Sequence, residues 1–189
     1  MSNKQDIEMT NNKDNKDKNN LNEDKYKPNA IYAEYKKLLI TMDKAASLKD
    51  LKSLFTLYSQ INKFRINLKK QDFVYISNEI LNNNYPISIL NNFELNEDIK
   101  EQLNRSFNFN SKTIAKLKEI PEIKVFNKLL MILYLIDNKK CDEAFELLYK
   151  LINEIKDYDL YTLSHLKAST YYYLCLEAEK LNKLYFIMP

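Results

Sequence analysis

The chain contains no glycine in 189 residues, and that absence removes more folds and activities than any residue present. Phosphate-cradling loops, dinucleotide-binding turns and the strained turn that carries a nucleophilic serine all need glycine, for a positive φ or for close backbone approach. The tight hairpin turns of β folds lean on glycine too, with asparagine as a partial substitute. With only four prolines and abundant Leu, Ile, Lys, Glu and Asn, the sequence predicts an all-α chain whose helices are joined by Asn-rich connections.

The first 28 residues, MSNKQDIEMTNNKDNKDKNNLNEDKYKP, hold almost no large apolar side chains, and their six acidic and six basic residues cancel. Such a segment buries too little apolar surface to offset its ordering entropy, which predicts a disordered tail over 1–28. It has neither the apolar centre of a signal peptide nor the Arg-rich, acid-poor character of a transit peptide. No apolar run approaches the roughly 18 residues that span a bilayer. A soluble, intracellular protein with no membrane partner is expected.

Catalytic constellations are scarce. Cys141 and Cys175 are too few for a zinc set, and His165 is the sole histidine. Ten residues on one helix separate His165 from Cys175 by roughly 15 Å, so those two cannot form a nucleophile–base pair within it. Buried structural cysteines are the ordinary outcome. Glu143 and Glu146 have the spacing of paired carboxylates on a helix face, yet solvated surface charge explains them. No enzyme activity, cofactor, metal or small-molecule substrate is expected. The net charge is only +3. Basic residues such as Lys69, Lys70, Lys139 and Lys140 are scattered among acids with no arginine-rich stripe, which argues against a nucleic-acid partner.

Hydrophobic spacing divides the remainder. Residues 29–85 read as three amphipathic helices. The first, from Pro28 to Ala46, carries Ile31, Tyr35, Leu38, Leu39 and Met42 at helical spacing. In the "SLKD" that follows, Ser47 is the expected cap of a helix running through Leu51, Leu54, Tyr58, Ile61 and Phe64. A third carries Phe73, Ile76, Ile80 and Leu81. Residues 86–120 read as an irregular connector with short helical stretches at Glu97 to Leu103 and Ser111 to Lys118. Residues 121–189 read as three antiparallel helices. The first is apolar nearly all round, as a fully buried helix is. The last holds the unusual "KASTYYYLCLEAEKL". Three consecutive tyrosines cannot share one face of a helix, so that helix should lie between two neighbours. The turn and Ala144 in "DNKKCDEAFELL" have tetratricopeptide character, and Ala168 and Ser169 are expected at another close helix contact. The whole predicts a right-handed helical-repeat solenoid of TPR-like antiparallel helix pairs. Its expected core includes Leu129, Leu133, Ala144, Leu148, Ala168 and Tyr172.

The segment from Ile120 to Leu184 resembles the amino-terminal solenoid of the family of non-ATPase subunit 3 of the 26S proteasome regulatory particle. The resemblance rests on the order of Lys139 and Lys140, Glu143 and Ala144, Thr162 and Leu163, Lys167 and Ala168, Tyr171 to Tyr173, and Glu177. Asp43, Lys44, Ala45 and Ser47 are similar to the family's first helical pair. This resemblance implies a non-catalytic scaffold subunit of the regulatory-particle lid in ubiquitin-dependent degradation, located in cytoplasm and nucleus, with other lid subunits as partners. A signalosome or translation-initiation subunit of the same architecture is the alternative. Family members continue through further repeats into a carboxy-terminal PCI module, so the end at Pro189 reads as a truncation or a short paralogue. The apolar flank left at Leu184, Tyr185, Phe186 and Ile187 is then the expected interaction site.

Overall fold

The computed structural model describes residues 30–79, 81, 97, 101, 111–158 and 160–186; the tail over 1–28 and most of 86–120 lie outside them. Among the described residues there is no strand. The α-helices are α1 (Ala30–Ser47), α2 (Leu51–Tyr58), α3 (Ile61–Asn67), α4 (Lys70–Glu79), α5 (Ser111–Glu119), α6 (Pro121–Asp137), α7 (Cys141–Ile155) and α8 (Ser164–Lys180). Short 3-10 turns cover Tyr161–Leu163 and Leu184–Phe186.

The apolar circumference of α6 dictates its place. Phe126, Leu129, Leu130, Met131, Ile132 and Leu133 are all fully buried. Helices α1, α3 and α5 pack on one part of α6 and α7 on another, and α8 completes a stack with α7 while its start touches α2. Tyr35, Leu39 and Met42 of α1 and Phe64 of α3 face this central helix from the amino-terminal side. Each large apolar side chain so buried contributes about 1.5–3 kcal/mol. Leu148, Leu151 and Ile155 make the buried stripe of α7. The result is a stacked series of antiparallel helix pairs with one continuous core.

A few buried polar groups fix the register. Tyr35 donates its hydroxyl to Asn127 Oδ1 across α1 and α6. Tyr58 of α2 donates to the carbonyl of Thr162 at 3.2 Å, and Thr162 in turn donates to the buried Glu122 of α6 at 2.5 Å. Such groups are costly to bury unless bonded, so they favour the arrangement that pairs them. Exposed ion pairs such as Lys63 with Glu34 add little by comparison.

Three helices end in the same way without glycine. Lys49, Lys139 and Asn182 have φ of 55°, 59° and 55°. At the first, Lys49 N–H donates to Ala46 O and Asp50 N–H to Ala45 O, the paired bonds of a Schellman motif. Lys139 with Lys140, and Asn182 with Lys183, repeat the pattern after α6 and α8.

Several local expectations need correction. The expected single helix from Leu51 to Phe64 is two, parted at Ser59 and Gln60. Ser59 Oγ donates to Thr56 O at 2.8 Å, a local bond that competes with helix continuation. Ser47 is not the cap of α2: it is the last residue of α1, and Asp50 caps α2 by accepting from Ser53 N–H at 3.2 Å. The short helix expected at Ser111 to Lys118 is present as α5, and it packs on α6 with Leu117 buried. The tyrosine-bearing helix begins with a 3-10 turn and ends at Lys180 rather than Leu184.

Candidate interaction surface

Helix α8 has one buried side and one exposed side, and both are rich in apolar or aromatic residues. Leu166, Thr170, Leu174 and Ala178 recur at intervals of four and face α7. Ala168, Tyr171, Tyr172, Cys175 and Glu179 fall on the opposite side and are exposed. Tyr172 has 63% of its surface exposed and Tyr171 46%, while Tyr173 is half-buried.

Two expected core residues are therefore elsewhere. Leu129, Leu133, Ala144 and Leu148 are buried, but Tyr172 and Ala168 lie on the open side of α8. The physical reason is direct. A helix sandwiched along its length needs a neighbour on each side; α7 runs along one side of α8, while α2 meets only its start, at His165, and Tyr172 lies open. The three tyrosines do point to different sides of the helix, but the expected burial between two neighbours is not what the described residues show, with Tyr171 and Tyr172 both exposed.

Beyond α8 the chain turns through Asn182 into Leu184–Phe186. Leu184 is 44% and Tyr185 68% exposed; the side chain of Phe186, and Ile187 altogether, lie outside the described residues. A groove of about 420 Å³ adjoins this turn, lined by Phe145, Glu146, Tyr149, Lys150 and Lys183. Lys183 Nζ sits 5.2 Å from the centre of the Phe145 ring and donates to Asp142 at 2.7 Å. The hydrogen bond to Asp142 holds the Lys183 ammonium above its ordinary pKa. Tyr149, 46% exposed, was missed in the sequence. Its spacing of four from Phe145 was the available signal, and it reads equally as the edge of a buried stripe.

The two thiols lie in different surroundings. Cys141, at the start of α7, is shielded, and burial followed by the hydrogen-bonded carboxylate of Glu177 pushes its thiol up. A thiolate next to a carboxylate is disfavoured. Cys175 sits on the exposed side of α8. His165 packs its ring against Phe55 and Tyr58, with centroids 5.5 and 6.0 Å away. Among the described residues no cluster of three or more His, Cys, Asp or Glu could hold a metal ion, and no helix is long and apolar enough to cross a membrane.

A second, open cleft of about 780 Å³ lies where α3, α6 and α8 meet, lined by Asn62, Arg65, Ile66, Leu68, Tyr134, Asp137, Asn138 and Tyr173. Arg65 grips Asp137 with both Nε and Nη2, the first at 2.5 Å from Oδ2. That paired bond raises the guanidinium pKa further.

The described residues thus combine stacked helices with exposed aromatic rings on α8, an arrangement typical of helical repeats. Neither a curated protein nor a solved structure gave a match. A family model described as PSMD3-like, N-terminal TPR repeats, matches residues 6–189. That match spans nearly the whole chain, and with the stacked antiparallel pairs it establishes that the chain belongs to the family of PSMD3-like N-terminal TPR repeats.

Proposed function

We propose that this chain is a non-catalytic scaffold of the proteasome regulatory-particle lid, serving ubiquitin-dependent protein degradation in cytoplasm and nucleus. Family membership supports the choice of complex, and the exposed Tyr171–Tyr172 side of α8 is the observation that carries the reading. A helix with aromatic rings on its open side is a surface whose burial favours association. Other lid subunits are the partners. The mechanism is shape and apolar contact: no cofactor, nucleic acid, membrane or small-molecule substrate enters it. Leu184 and Tyr185 extend the same surface past the end of α8.

The test is an amino-terminal tag at the native locus, gentle purification and mass spectrometry of bait and partners, with wild type beside Tyr172→Asp. Lid subunits recovered with wild type and depleted with the variant are expected. Recovery of signalosome or translation-initiation subunits in place of lid subunits would assign the scaffold to a related assembly. Recovery of neither would sink the proposal.

A further inference from the structure

The last carbonyls of a helix have no partner inside it, and a lysine near that end can supply one. Helix α7 ends at Ile155, and the lysine that serves its end comes from α8. Lys167 Nζ donates to the carbonyl of Tyr158 at 2.6 Å and reaches that of Lys156 at 3.5 Å. A second hold lies further along the same connection. Tyr58 donates to the Thr162 carbonyl at 3.2 Å, and the Thr162 hydroxyl donates to Glu122 at 2.5 Å. Between the two holds, Leu160 is 38% and Tyr161 53% exposed. This pair stands at the amino end of α8, just ahead of its open side.

We propose that the connection from α7 to α8 is a strap with two latches, and that Lys167 is the releasable one. The latches differ in burial. Tyr58, Thr162 and Glu122 are all buried, so their hold opens only when the packing around them opens. Lys167 is half-buried, and its hold is a charged donor on neutral carbonyls, about twice as strong as a neutral bond of the same geometry. That strength resides in one charge at the edge of solvent, and neutralising the ammonium releases it. The strap then loosens where it leaves α7, while the Thr162 end stays closed. Leu160 and Tyr161 keep one anchor instead of two, so the aromatic and aliphatic surface beside α8 is fixed in place by a lysine that is itself no part of it.

The test is amide hydrogen exchange read by NMR on the full chain, comparing wild type with Lys167→Met, Lys167→Gln and Lys167→Arg. In the two uncharged variants, exchange at Tyr158 and Leu160 is expected to rise by roughly threefold to tenfold, a range that discounts a charge-assisted bond for its partial exposure. Exchange at Leu163 and Leu166 should stay at the wild-type rate, because the Thr162 latch is intact. Lys167→Arg keeps both charge and donors and should remain within about twofold of wild type throughout. Two uncharged variants of different polarity guard against one that folds poorly, and far-UV circular dichroism should match wild type in all three. Wild-type exchange at Tyr158 in both uncharged variants would overturn the proposal. So would Lys167→Arg exchanging as fast as Lys167→Met, since the hold would not then depend on charge. An equal rise along the whole of α8 would overturn it as well, by making Lys167 a general support of the helix rather than a latch on the strap. The assay contains this chain alone, so its result stands whichever subunits the tagging experiment recovers.

Discussion

At the scale of single residues, the missing glycines are felt where helices stop. Lys49, Lys139 and Asn182 hold left-handed backbone at φ near 55–59°, where a Cβ crowds the following carbonyl and costs about 1–2 kcal/mol. Glycine removes that crowding but adds freedom to the unfolded chain, so the net gain is smaller. Lys49→Gly is expected to stabilise by about 0.5–1 kcal/mol, seen as a higher urea midpoint at unchanged slope. Asn182→Gly should gain less, because asparagine tolerates this region better than lysine does. A lower midpoint for Lys49→Gly would mean that the lysine side chain does more for the turn than its backbone costs. The two cysteines make a second test. Cys175 is exposed, while the Cys141 thiol is held above its ordinary pKa by burial and Glu177. Maleimide labelling near neutral pH, followed by mass spectrometry, should modify Cys175 first; equal rates would contradict the shielding of Cys141.

Among the helices, α8 shows what periodicity transmits and where it stops. The tyrosine run required surroundings on more than one side, and Leu166, Leu174 and Ala178 do face α7. Nothing in spacing, however, says which of two apolar sides meets a helix of the described fold. Tyr172 was expected inside and is 63% exposed. Burying a charge between helices would cost several kcal/mol. On the open side, Tyr172→Asp is expected to shift stability by less than about 0.5 kcal/mol and to act on partner recovery instead. A thermal midpoint several degrees below wild type would show that Tyr172 is packed after all. The apolar run of α6 was legible because a helix greasy all round has one place to go. The break between α2 and α3 was not. Leu54, Tyr58, Ile61 and Phe64 keep a helical rhythm across it, while the Ser59 hydroxyl bonds the Thr56 carbonyl and Gln60 N–H bonds Leu57 O at the interruption. The Asp50 cap was likewise hidden, since Ser47 and Asp50 both satisfy the capping pattern and α1 extends to include the serine.

The whole molecule hangs on contacts to α6, and two phenols stand where the amino-terminal helices meet the rest. Tyr35 is bonded to Asn127 of α6, and Tyr58 reaches Thr162, whose hydroxyl holds Glu122. Burial raises the pKa of both tyrosines well above the ordinary phenol value of 10.0, with the Glu122 charge adding to the shift at Tyr58. The folded state therefore binds these protons more tightly than the unfolded chain does. Below the unfolded value both states are protonated and the stabilisation is complete; as pH rises past about 10, the unfolded chain releases protons that the folded chain keeps, and stability falls. Each such phenol should contribute a loss of about 1.4 kcal/mol per pH unit in that range. Urea unfolding of wild type should weaken steeply between about pH 9.5 and 11, and Tyr58→Phe should show a shallower decline by one proton. At neutral pH the same substitution should cost about 1 kcal/mol for the hydrogen bond to Thr162. If Tyr58→Phe declined as steeply as wild type, the Tyr58 phenol would be titrating in the folded state, and the joint between α2 and α8 would be open to water rather than sealed by the polar bonds around Thr162.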